Sequence, residues 1–247
     1  MIAIDLEKAK NTIALLLRKA EDPAVSPEER ETFLNAAQKK MLRLGIDIAE
    51  LEAVGDVKPE DIIEAQLVWR GSYSIAMIPF TDAVAHGFGH LTTLQANYSD
   101  MLRVSYVIGT KSDVETFRVL ITSLHTQAMI GLKEYQKAHR ERRRYFTDME
   151  KYTENRSFLL GFAQQVSRRL RQMRSTEEQT ASTGAALVLA SKESRVQAFV
   201  TNEYPSLPKA RGGMQTDSYG ARAAGRQAGQ DANLATRSIA GKRGITS

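Results

Sequence analysis

Between Val114 and Leu132 apolar residues return every three or four positions: Val114, Phe117, Leu120, Ile121, Leu124, Ala128 and Leu132. That spacing keeps one face of a helix apolar for about five turns, and a stripe of that length needs another apolar layer to cover it. The preceding segments supply one. Residues 62–70 read as a strand, and residues 79–91 as a helix with Phe80, Val84 and Phe88 four apart. Residues 93–98 and 102–108 read as two short strands, joined by the turn chemistry of Asn97-Tyr98-Ser99-Asp100. Thr110 or Ser112 is expected to cap the long helix. Strand, helix, hairpin and helix define an α+β layer in which helices cover one face of a small, mainly antiparallel sheet.

The segments on either side make the chain helix-rich. Leu6, Ala9, Ile13, Leu16, Leu17 and Ala20 form one stripe, which Pro23 ends. Ser26, Pro27 and Glu29 spell a capping box with proline at the first helical position. Phe33, Leu34, Ala37, Met41 and Leu44 then continue the apolar face. Gly45 is expected to stop this helix, and Asp47 with Glu50 to start a third short one reaching about Val54. Residues 134–174 read as a basic helical stretch whose second half carries Phe158, Leu159, Phe162, Val166 and Leu170. A polar loop over 176–184, a buried strand over 185–189 and a short helix over 193–204 are expected next. Residues 205–247 hold 7 of the 16 glycines, and Tyr219 is their one aromatic. That composition predicts a flexible basic tail, dispensable for folding, with at most a transient helix from Ala221 to Leu234. The expected divisions are 1–55, 60–135, 136–204 and 205–247.

The pattern Leu16-Leu17-Arg18-Lys19-Ala20-Glu21-Asp22-Pro23, followed by Pro27-Glu28-Glu29, Ala36, Met41 and Gly45-Ile46-Asp47, resembles a small helical domain. That domain begins bacteriophage and prophage proteins of unknown function. More loosely, Trp69 and the run Val107-Ile108-Gly109-Thr110-Lys111-Ser112-Asp113-Val114-Glu115 resemble a second domain that often follows it. The resemblance implies a phage or prophage setting and supplies no activity and no catalytic residue.

The chain contains no cysteine, which excludes disulfides, zinc–thiolate sites, iron–sulfur clusters and thiol catalysis. No apolar run approaches the ~18 residues of a membrane span, and Met1-Ile2-Ala3-Ile4-Asp5 lacks a secretion signal's basic start. A cytoplasmic location is expected, in the bacterial host if the chain is phage-encoded. The net charge of +5 is uneven. Residues 1–133 carry 14 Lys/Arg against 18 Asp/Glu, residues 134–174 carry 11 against 5, and residues 205–247 carry 7 against 2. An acidic front followed by two basic segments points to a polyanionic partner.

The arginine-rich segment is the sharpest chemical signal. Arg140, Arg142, Arg143 and Arg144, with Tyr145 and Phe146, combine phosphate-pairing groups with stacking surfaces. Arg168, Arg169, Arg171 and Arg174 lie opposite the later apolar stripe, and Arg222 and Arg226 are spaced by glycine and alanine. All ten are candidate nucleic-acid contacts. His86 and His90 stand four apart, as in zinc hydrolases, but Gly87 replaces the glutamate the signature needs, so the metal motif is incomplete. Gly87-Phe88-Gly89-His90 lacks the further glycines of a phosphate loop, and no Gly-x-Ser-x-Gly elbow occurs. The expectation is a non-enzymatic accessory protein, without cofactor or metal, that binds nucleic acid or a nucleic-acid-associated host protein. A protein-interaction module acting on a host or virion assembly is the alternative, and a metal-dependent hydrolase using His86 and His90 the third reading. No membrane partner is expected.

Overall fold

The computed structural model describes residues 8–9, 11–13, 15–16, 18–19, 22, 25–55, 58–99, 101–179, 181–207 and 217–232. It divides into two compact units, one whose described residues end at Leu44 and the other running from Gly45 to Ala232.

In the N-terminal unit the described residues between 8 and 19 are helical, with Ile13 buried. Helix α1 (Pro27–Ala53) opens with the capping box read from the sequence. The Glu29 N–H donates to Ser26 Oγ at 3.2 Å, and the Ser26 N–H donates to the Glu29 carboxylate at 3.1 Å. Ala37, Met41 and Leu44 are buried one turn apart, and the Lys19 ammonium lies 5.4 Å from the Phe33 ring centroid. The helix does not stop at Gly45 as expected. Apolar positions keep their spacing through it, Ile48 and Ala49 are buried beyond it, and that burial outweighs the ~1 kcal/mol cost of a helical glycine. The left-handed residue is Gly55, with φ 79°.

The second unit contains the sheet. Strands β1 (Ile62–Arg70), β2 (Thr92–Ser99) and β3 (Leu102–Thr110) are antiparallel in the order β1-β3-β2. Leu67 and Gln95 both face Ser105 in the register, which places Trp69, Ser105 and Thr93 on one face. Helices α2 (Ser74–Phe88) and α3 (Lys111–Ala138) cover that face. The Trp69 indole N–H donates to Ser105 Oγ at 3.3 Å, its ring lies 5.3 Å from that of His125, and the Thr93 hydroxyl donates to Asp82 at 2.7 Å. Every apolar residue of the expected α3 stripe is buried. Thr110 occupies the N-cap position, but its hydroxyl donates to Asp113 at 2.7 Å instead of capping.

Helix α4 (Arg140–Arg143) is a single turn, and helix α5 (Asp148–Glu178) buries the expected stripe of Phe158, Leu159, Phe162, Val166 and Leu170. Helix α6 (Thr183–Glu203) replaces the strand expected over 185–189. Ser182 Oγ accepts from the Ala185 N–H at 3.2 Å. Ala185, Leu189, Lys192 and Val196 are buried at intervals of four, three and four, while Leu187 is 69% exposed. Five apolar residues fit both periods, and helical burial decides between them. Gln197 of α6 donates to Thr92 at 3.2 Å, and the Tyr204 hydroxyl donates to Glu64. Glu64 and Thr92 both pair with Ile108, so α6 meets the sheet face opposite Trp69.

Within residues 217–232 the expected flexible tail is instead an ordered helix, α7 (Tyr219–Asp231), lying against α5; residues 208–216 and 233–247 fall outside the described residues. Ala221, Gly225 and Gly229 form its buried face. A Cβ at Gly229 would stand 2.6 Å from the Phe162 carbonyl oxygen, and Cβ atoms at Gly225 or Gly161 would collide with the backbones of Phe158 and Arg222. The two helices therefore touch backbone to backbone. Ser157 Oγ donates to Asp217 at 2.6 Å and accepts from the Ser218 N–H at 2.9 Å. The buried Arg169 guanidinium donates to the carbonyls of Gly229, at 2.8 Å, and Ala232, closing the far end. A count of large apolar side chains misses this contact because it is built from their absence.

Gly225→Leu should force the helices apart and cost about 3 kcal/mol by overpacking, a melting-temperature loss of roughly 6–12 °C. Deleting residues 217–247 should likewise lower the melting temperature. Calorimetry showing both variants as stable as the unmodified chain would contradict the docked helix.

Candidate nucleic-acid interface

Where α3 gives way to α5 the chain turns a corner fixed by one carboxylate. Glu154 is 4% exposed and accepts from Arg142 at 2.5 Å, from Arg143, and from the Tyr135 hydroxyl at 3.2 Å. Arg143 also donates to Asn155 Oδ1 at 3.0 Å, which accepts from Gln136 at the same distance. Burial and the neighbouring Glu154 charge push the Tyr135 phenol up, against the pull of Arg142. A second box starts α5: the Glu150 N–H donates to Thr147 Oγ1 at 3.2 Å, and the Thr147 N–H donates to Glu150 at 2.7 Å. Breaking one partner from a buried ion pair costs about 3–5 kcal/mol, so the corner is held firmly.

Other groups of the corner face solvent. Arg140 is exposed, and the Arg144 side chain is 69% exposed with only a 3.1 Å surface pair to Glu141. Tyr145 is 89% exposed. Arg142 keeps half its side chain in solvent and lies 5.2 Å over the Phe146 ring. Arg168 and Arg171 are exposed further along α5, about 32–36 Å from Thr147 at 1.5 Å per residue. The remaining sequence candidates have internal partners. Arg143 is bound to Glu154, Arg169 to the end of α7, and Arg222 to Asp217 at 2.7 Å. Arg226 lies 5.9 Å over the Tyr219 ring.

Arg174 belongs to a separate cavity of about 340 Å³, lined by His86, His90, Arg174, Glu178, Leu189 and Glu193 among others. Gly89, at φ 91°, and His90, at φ 55°, turn the chain out of α2. The Arg174 guanidinium lies directly over Gly89, so a Cβ there would force it to move. His90 Nε2 and Arg174 Nε both stand 3.5 Å from Glu178 Oε1. Burial holds the His90 imidazole below its usual range, opposed by Asp113 and Glu178 and assisted by Arg174 and Lys192. Lys192 is 1% exposed, with its ammonium 3.7 Å from Asp113. His86 lines the cavity from its exposed rim. Among the described residues no group of three or more His, Asp and Glu side chains is arranged to hold a metal ion.

Sequence reasoning missed Glu154, Glu178, Lys192 and Asp113. Glu154 was signalled by its place one turn before Phe158 on the apolar stripe, whereas the Lys192–Asp113 pair joins residues far apart in the chain and leaves no local signal.

Residues 8–47 match the model of a family described as a protein of unknown function, DUF2786. No curated protein and no solved structure matches the chain significantly. Among the described residues no helix is long and apolar enough to cross a membrane.

A buried neutral histidine makes stability depend on pH. The lowered His90 value means the unfolded chain binds more protons than the folded one below about pH 6.5. The stabilisation from keeping the ring neutral is complete above that pH and is lost as pH falls through the lowered value. Burial lowers His125 in the same way. His90→Asn, which tolerates positive φ, should reduce the melting-temperature loss between pH 8 and pH 5, and adding His125→Asn should reduce it further. An unchanged pH profile in the double variant would contradict this assignment.

Proposed function

We propose that the chain binds nucleic acid through the corner joining α3 to α5, with Arg168 and Arg171 as a second contact along α5. One observation carries this reading: Arg140 and Arg144 present solvent-facing guanidinium groups on a turn whose geometry is fixed by buried Glu154 through Arg142 and Arg143. Such groups pair with phosphate in bidentate fashion, and holding them in place beforehand reduces the entropy lost on binding. Arg143 and Arg169 serve the fold and are left out of the interface, and Arg174 serves the cavity. The role is that of a binding protein. A phage or prophage setting, which the resemblance of residues 6–54 implies, suits an accessory protein of this kind.

Phosphate contact makes affinity fall with salt, with a log–log slope of about 0.9 per phosphate neutralised on duplex DNA and about 0.7 on a single strand. Changing Arg140, Arg144, Arg168 and Arg171 together to Gln should reduce that slope by roughly three to four while leaving the melting temperature unchanged. A titration of labelled DNA and RNA at two salt concentrations checks this. Undetectable binding of the unmodified protein at low salt would remove the reading.

A further inference from the structure

The Tyr145 side chain makes no hydrogen bond or ring contact among the described residues, and at 89% exposure it has one of the most open rings of the second unit. Its neighbour Phe146 is already covered by the Arg142 guanidinium. The turn beneath Tyr145 is held by its own N–H to the Arg142 carbonyl and by the Phe146 N–H to the Arg143 carbonyl, both at 3.3 Å. Arg142 and Arg143 are in turn fixed to Glu154. A flat aromatic face is thus presented to solvent on a rigid support, on the same short turn as exposed Arg140 and Arg144.

We infer that the ligand of this corner is an unpaired nucleotide strand, with one base stacked on Tyr145 and the adjoining phosphates paired to Arg140 and Arg144. The inference rests on the proposal that the corner binds nucleic acid, and it specifies the form of that nucleic acid. Charge and geometry favour the single strand. The outward cations Lys137, Arg140, Arg142, Arg144 and Lys151 are interleaved with exposed Glu141, Asp148 and Glu150, so the local excess of positive charge is small. Duplex binding draws its affinity from many neutralised phosphates, which a patch of this size does not supply. Base faces in a duplex are stacked on one another, whereas a single strand offers its bases to an aromatic ring whatever their identity. The exposed tyrosine adds little to the grip on a duplex and most to the grip on a single strand.

The test uses the full chain and labelled mixed-sequence 12-mers, as single-stranded DNA, single-stranded RNA and duplex DNA, followed by fluorescence anisotropy at low salt. At least one single strand should bind about tenfold or more tightly than the duplex. Tyr145→Ala should weaken single-strand binding by about tenfold or more and duplex binding little, with the melting temperature unchanged. Tyr145→Trp should restore single-strand affinity, and its indole fluorescence should be quenched on binding beyond any change at Trp69. Equal affinity for duplex and single strands, or an unaffected Tyr145→Ala variant, would overturn the stacking assignment while leaving the basic interface intact. Absence of binding to all three probes would remove the interface and the stacking assignment together.

Discussion

The second unit depends on helices close enough for their backbones to touch. Helix α5 meets α2 where Gly87 faces the Ser167 backbone, and meets α7 where Gly161, Gly225 and Gly229 leave no room for a Cβ. Beside these main-chain contacts the aromatic side chains of α5 reach further along its neighbours. Phe162 stacks at 6.0 Å on Phe80 of α2, and Phe158 lies 5.4 Å from Tyr135 of α3. One helix can therefore be buried on several sides although much of its sequence is polar. A larger residue at Gly225 would also move the α7 carbonyls away from Arg169, coupling packing to the polar contact at the helix end.

The arginines show how one residue type divides its work according to the face it occupies. Arg169 sits on the buried side of α5 and closes the C-terminal end of α7, where free carbonyls want a cation. Arg143 satisfies a carboxylate that would otherwise be stranded in the core. Arg140 and Arg144, at the two ends of the single turn α4, have no such task. Sequence density treats these residues as one cluster, whereas the structure makes some of them the scaffold on which the others are displayed. The cavity near His90 is a further division of charge: Arg174, Glu178, Lys192 and Asp113 balance one another there.

Elements built from large apolar side chains were legible in the sequence, because burial of such groups writes a helical period. The stripes of α3 and α5 and the antiparallel hairpin are examples, and the Ser26–Glu29 box was legible because both partners are local. Gly45 misled because local propensity is weaker than continued burial. Residues 185–189 misled because a short apolar run fits two periods. Helix α7 was hidden for a different reason: its binding energy comes from close main-chain approach at glycines, residues that composition counts toward disorder. At the corner, the arginines and Tyr145 were visible as a cluster. Their separation into buried and displayed groups was not, since it depends on Glu154 lying on the apolar side of α5.

The contact between α5 and α7 also has an order in time. Gly161 and Gly225 are 64 residues apart, and a ribosome adding 5–20 residues per second needs roughly 3–13 s to cover that interval. For most of it, once synthesis has passed Glu178, α5 is complete and its glycine flank, with the main chain of Phe158 and Phe162 beside it, has no α7 to cover it. The nascent protein thus carries a temporary docking groove whose occupant, α7, is still inside the synthetic machinery, and whose lifetime is set by the speed of translation.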